Sequence, residues 1–171
     1  MRYANNPSAR DGFTLIEVAV ATAVVGIALA ALLVALGSHT RVRDAAAKIT
    51  QAAALAQEVR ERTLSLPFSD PDPADADNPP GPDGSDPQVF VDDLDDLMDV
   101  TFQPPRDGQG NSIPTLDGWS QTINLSWRDP NDISTPIADG ASDLIFVEVD
   151  VAFQGQTIRT VNWLVARRAG E

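Results

Sequence analysis

Residues 12–37 read GFTLIEVAVATAVVGIALAALLVALG, and the last twenty of them, Val18–Gly37, carry no charge. At 1.5 Å of rise per residue those twenty form a helix about 30 Å long, the thickness of a bilayer's hydrocarbon core. Ala and Leu dominate the stretch, which keeps its helix propensity high. The spacing and length predict a membrane-spanning helix rather than a core helix of a soluble domain. Glu17 stands at its mouth. A carboxylate carried to the bilayer centre costs about 2.5–3.5 kcal/mol. At the interface, close to a helix N-terminus, the helix dipole offsets part of that cost.

Downstream of the apolar run the pattern changes but stays helical. Val42, Ala45, Ile49, Ala52, Ala56, Val59, Thr63 and Leu66 step by three and four. That spacing predicts one amphipathic stripe, either a seam that packs on a head and, nearer the membrane, on neighbouring helices, or, for residues 52–66, the buried face of an ordinary core helix. Pro67 stops the helix. Residues 67–99 follow with eleven Asp, seven Pro and neither Lys nor Arg. Such a composition reads as a solvated loop whose charges repel one another. Clustered carboxylates also bind calcium through oxygen. Asp92, Asp93, Asp95 and Asp96 are the candidate ligands, although the glycine and terminal glutamate of an EF-hand loop are missing.

Beyond the loop the period falls to two. Ile123, Leu125 and Trp127 share one face of a strand at 121–127, and Ile145, Val147, Val149, Val151 and Phe153 share one face at 144–153. A third strand spans 157–166. A three-residue loop at 154–156 pairs Val149 with Val161, Val147 with Trp163 and Ile145 with Val165. A two-residue loop would set Val149 against Thr160, so the longer loop is predicted. Val89-Phe90-Val91 reads as a further short strand. Asp107-Gly108, Asp117-Gly118 and Asp139-Gly140 mark turns.

The charge is divided as sharply as the hydropathy. Residues 1–66 hold seven basic and five acidic side chains, a net of +2, and residues 67–171 hold five and twenty, a net of −15. So acidic a head argues against tracking a phosphate backbone, and no nucleic-acid partner is expected. The chain has no Cys and one His, His39, which excludes disulfides, thiolate chemistry and multi-histidine metal sites. No phosphate loop, dinucleotide fingerprint or metalloprotease helix is present, and no catalytic residue is expected. Trp119, Trp127 and Trp163 could line a sugar platform, but strand tryptophans more often fill a core.

Gly12-Phe13-Thr14-Leu15-Ile16-Glu17, followed by the apolar run, resembles the class III signal of type IV pilin-like proteins: pilins, minor pilins and type II secretion pseudopilins. The resemblance covers roughly residues 8–40. It implies that a prepilin peptidase cuts between Gly12 and Phe13 and that Phe13 becomes the methylated N-terminus. It implies an assembly role for Glu17, which would meet the N-terminal amine of a neighbouring subunit. It implies partners: the peptidase, other pilin or pseudopilin subunits, an inner-membrane assembly platform and membrane lipid. It implies a single-pass bacterial inner-membrane protein with an extracytoplasmic head, later taken into a fibre. Major pilins often carry a proline in the second half of the apolar stretch; Gly26 and Gly37 are the breakers here, as minor pilins and pseudopilins allow.

Two other readings fit the same N-terminus, a secretory signal and an uncleaved anchor. The positive-inside rule does not separate them, since Arg2 and Arg10 face Arg41, Arg43 and Lys48 across the apolar run. A membrane-anchored extracytoplasmic binding module for calcium or carbohydrate, outside any fibre, is the first alternative function, and an anchored hydrolase is the second. The expected fold is α+β, a long N-terminal membrane-spanning helix packed on a small antiparallel β-sheet head, as in pilins. The expected divisions are a leader at 1–12, a transmembrane half-helix at 13–37, an amphipathic half at 38–66, an acidic Pro-rich loop at 67–99 and a sheet head at 100–171.

Overall fold

The computed structural model describes residues 12–71, 80–84, 86 and 90–169, with backbone alone for residues 38–40. The leader before Gly12, the acidic positions Asp72, Asp75 and Asp77, and Val89 lie outside the described residues. One long helix, α1 (Leu15–Ser65), is followed by a five-stranded antiparallel sheet, an α+β arrangement. The chain divides into two compact units, residues 1–45 and 46–171.

The first unit is helix. Its most apolar eighteen-residue window has a mean hydropathy of 2.7, none of it is buried, and it is long enough to cross a membrane. Every described side chain from Phe13 to Gly37 is exposed. Thr22 returns its hydroxyl to the carbonyl of Val18 at 2.8 Å, so even this polar side chain leaves no free donor on the apolar surface.

The second unit is built on the last turns of α1. Ala52, Leu55, Ala56, Val59, Thr63 and Leu66 are buried. Ile49 and, in the first unit, Val42 and Ala45 are exposed, so the buried part of the stripe begins at Ala52. Leu55, which the stripe did not include, lies three residues after Ala52 and four before Val59 and is as buried as either. α1 ends at Ser65, one residue short of the expected end at Leu66, because the ring of Pro67 disfavours helical backbone at the residue before it. The Leu66 amide still reaches the Arg62 carbonyl at 3.1 Å, and Arg168 caps the carbonyl of Leu64.

The strands are β1 (Val100–Phe102), β2 (Trp119–Asp129), β3 (Asp132–Pro136), β4 (Leu144–Phe153) and β5 (Gln156–Ala166). Their order is β1-β2-β4-β5, with β3 pairing the far end of β2. The buried face is written in rungs. Val100, Ile123, Val149 and Val161 line up across four strands, and Leu125, Val147 and Trp163 form the next rung. Ile145, Val147, Val149 and Val151 are fully buried and join the α1 residues in one core. β1 and β3 were not expected from the sequence. β1 is three residues long and β3 is wholly exposed, so neither shows a legible alternation. Phe90 and Val91 do not form the expected strand.

The β4–β5 hairpin corrects one expectation. The pairs Val149–Val161, Val147–Trp163 and Ile145–Val165 are as predicted. The loop, however, is not three residues long. Gln154 and Gly155 form a two-residue turn, both with positive φ (50° and 78°), which suits the right-handed twist of the strands. The register then slips between Val151 and Ala152, where β5 holds one extra residue, Ile158. That bulge restores the apolar register the longer loop was expected to supply.

Gln121 is the polar member of the buried face and is wholly inaccessible to solvent. Its Nε2 donates to the carbonyls of Leu55 at 2.9 Å and Arg106 at 3.1 Å, and its Oε1 accepts from the Arg106 amide at 2.7 Å. One amide thus joins α1, β2 and the loop after β1. Gln121→Leu keeps the bulk but orphans the Arg106 amide and carbonyl, and should cost about 2–4 kcal/mol of stability in urea unfolding. A cost within about 0.5 kcal/mol of zero would show that the amide is dispensable.

Candidate functional site

The start of α1 is capped by its own side chains. The Glu17 amide donates to Thr14 Oγ1 at 3.3 Å, and the Thr14 amide donates to Glu17 Oε2 at 3.4 Å. This reciprocal pair is a capping box, Thr at the N-cap and Glu three residues on. It gives the Thr14 amide a partner and adds a second acceptor to the Glu17 amide, which also reaches the Thr14 carbonyl at 3.0 Å. The Glu17 carboxylate therefore stays at the helix mouth, where the dipole favours an anion. Gly12 and Phe13 precede the helix, and Phe13 is 84 % exposed, so their peptide bond is open to solvent. Thr14 was missed as a functional residue. Its signal was present as Thr-x-x-Glu running into an apolar stretch.

In the head, the acidic segment folds partly inward. Asp93 and Asp96 are 2 % and 1 % exposed. Asp96 accepts from the amides of Asp83 and Asp92 at 2.9 Å and of Asp93 at 3.3 Å, and Asp93 accepts from the amides of Asp95 and Asp96 at 3.0 and 3.3 Å. Of the four expected calcium ligands, Asp92 and Asp96 come together with Asp83, one oxygen of each lying within 4.8 Å of the others. Asp93 and Asp95 are not in that group. Calcium takes six to eight oxygens, and three carboxylates supply part of such a shell.

The tryptophans do not form a common platform. Trp119 and Trp127 are buried in the core; Trp163 is half-buried and donates to Thr63 Oγ1 at 3.2 Å. Gly108 and Gly118 lie in the expected turns. A Cβ at Gly108 would stand 3.2 Å from that of Glu61, close against α1, where Glu58 Oε2 accepts the Gly108 amide at 2.7 Å.

The capped, solvent-exposed helix start is also the part of the chain that matches known proteins. Residues 7–33 match the prokaryotic N-terminal methylation motif. This is the signal of type IV pilins and pseudopilins. The match takes in Gly12, Phe13, Thr14 and Glu17 and most of the apolar run, and it ends before the head. No curated protein and no solved structure matches the chain. Proteins carrying the pilin signal are structural rather than catalytic, and the signal with its apolar helix fits membrane anchoring.

Burial and the neighbouring charges of Asp95 and Asp96 push the Asp93 carboxyl up from 3.8 to about 7, against the pull of its hydrogen bond from the Asp96 amide. A group with a raised folded pKa binds its proton more tightly when folded. Its contribution to stability is full below 3.8 and is lost as pH rises through about 7. Asn at this position keeps the Oδ1 acceptor and removes the charge. Asp93→Asn should melt close to wild type near pH 4 and on the order of 5 °C above it near pH 8. A melting difference that does not change with pH would contradict the assignment.

Proposed function

We propose that the chain is an assembly subunit, a minor pilin or pseudopilin, of a type IV pilus or type II secretion system. What carries this reading is the methylation motif lying on a helix whose described side chains from Phe13 to Gly37 are all exposed and almost all apolar. A surface so extended and so apolar must be covered. Lipid covers it while the subunit is stored in the membrane, and the helices of other subunits cover it in a fibre.

In this reading a prepilin peptidase cuts between Gly12 and Phe13, and the amine of Phe13 is methylated. The new amine is a cation beside an apolar helix. Glu17 of a neighbouring subunit neutralises it, because a paired charge in a dry interface costs far less than an unpaired one. The pair also sets the axial register between subunits. Before assembly the capping box holds the Glu17 carboxylate; Thr14 then releases it or shares it.

Mass spectrometry of the mature chain should find N-methyl-Phe13 at its start; an intact Met1 or a cut beyond residue 28 would sink the reading. Two substitutions separate the roles of Glu17. Glu17→Gln retains the capping hydrogen bonds and loses the charge, and Glu17→Ala loses both. Both should be processed, and both should fail to enter a sheared fibre fraction. Normal incorporation of Glu17→Gln would leave the cap, and not the ion pair, as the function of this residue.

A second reading, an anchored extracytoplasmic calcium-binding module outside any fibre, draws on the convergence of Asp83, Asp92 and Asp96. Calcium at that cluster should raise the melting temperature of the head, a chelator should reverse the rise, and Asp92→Asn should abolish it. A melting curve indifferent to millimolar calcium removes this reading.

A further inference from the structure

The head encloses a cavity of about 210 Å³ between α1, the segment at residues 91–97 and the sheet. Its buried lining is Val59, Leu97, Phe102 and Ile123 with the side-chain amide of Gln121, and Arg62 and Arg106 line it as well. The Gln121 amide is already bonded to the Leu55 carbonyl and to the Arg106 amide and carbonyl. The four apolar side chains offer an apolar group contacts on several sides.

The two arginines are held in place by neutral groups. Arg62 donates from Nη2 to the Val91 carbonyl at 2.8 Å and from Nη1 to the Gln109 carbonyl at 3.4 Å. Arg106 donates from Nη1 to the Gly110 carbonyl at 2.8 Å, and its guanidinium lies 4.8 Å from the centre of the Phe102 ring. Each guanidinium has five N–H donors, and these bonds use fewer than half of them. Neither arginine forms an ion pair among the described residues, although residues 67–171 carry a net −15. Asp107, the one carboxylate on the lining, spends its oxygens on the amides of Gln109 and Asn111 and on the Asn111 side chain. Those bonds, with a smaller contribution from Arg62, hold its carboxyl below the ordinary range, so it stays anionic.

Two guanidiniums against the one carboxylate of the lining favour an anion there. Glu58 and Glu61 stand beside Arg62 and Asp107 on the adjoining surface, and their charges favour a monoanion over a dianion. The planar fork of a guanidinium matches a carboxylate. The volume is below the usual 300–1,000 Å³ of pockets for drug-sized ligands, so it admits a fragment and not a polymer. We propose that this cavity binds a small carboxylate with an apolar body, its carboxylate on Arg62 and Arg106 and its body over Leu97, Phe102 and Ile123.

Benzoate is the probe, added to the full chain in detergent micelles with labelled methyl groups. The methyls of Val59, Leu97 and Ile123 should shift saturably, while those of Ile145 and Val147 in the main core stay in place. Benzylamine and benzyl alcohol carry the same ring and report partition into the micelle; neither should reproduce the saturable shift. Arg106→Gln should weaken benzoate roughly tenfold, the loss of one charge-assisted hydrogen bond. Arg106→Lys keeps the charge, is the safer variant for folding, and should weaken benzoate severalfold by losing the fork. No saturable shift at millimolar benzoate, equal shifts with benzylamine, or wild-type affinity in both variants would overturn the proposal.

Discussion

The head depends on one contact, the burial of the α1 face from Ala52 to Leu66 against one face of the sheet. Ala52, Leu55, Ala56 and Val59 share one buried core with Ile145, Val147, Val149 and Val151. Burial brings a cost, because backbone groups near the contact leave water. Gln121 meets that cost where the Leu55 carbonyl faces the sheet. The loops then attach to the same stretch of helix: Gly108 to Glu58, Val91 and Gln109 to Arg62, Trp163 to Thr63, and Arg168 to Leu64. These bonds tie the loops to α1, while the strands are held by their own ladders, and Arg62, which makes two of the bonds, lines the cavity.

The same helix serves two solvents. From Ala52 onward the apolar side chains of one face, Ala52, Leu55, Ala56 and Val59, are buried in the core they share with the sheet, while Leu64 on another face stays exposed. From Phe13 to Gly37 its described side chains are exposed, and with the N-terminal signal this apolar surface fits membrane anchoring. This explains why the first segment is apolar on every side and the last only on a stripe. It also explains the economy at the helix start, where Thr14 and Glu17 satisfy each other's amides and leave fewer polar groups facing an apolar medium.

Net charge misled at the acidic segment. Eleven Asp without a cation read as a solvated, self-repelling loop. Yet Asp93 and Asp96 turn inward and receive backbone amides, so that part of the segment is organised by its own carboxylates. Asp is well suited to this work, since its short side chain reaches amides two or three residues away. Which carboxylates do so depends on where Leu94 and Leu97 enter the core, and charge counting carries no record of that.

The sequence by itself determined the elements whose signal is local and repeated. Twenty uncharged residues, a stripe at helical spacing ended by Pro67, and alternation at β2, β4 and β5 are each set by the period of their own backbone. Even the pairing of β4 with β5 was legible, because only one register keeps the apolar face together. The hexapeptide from Gly12 to Glu17 was legible as a signal for the same reason, being contiguous. Tertiary structure alone decided the rest: that the β4–β5 register is reached through a bulge at Ile158, that Gln121 and not an apolar residue sits under Leu55, that Asp83 joins Asp92 and Asp96, and that Arg62 and Arg106 share one cavity. The physical reason is distance along the chain. Gln121 lies 66 residues from Leu55, and Arg62 lies 29 from Val91. A periodic pattern says which side of an element is buried, but what lies opposite is fixed only when the elements pack.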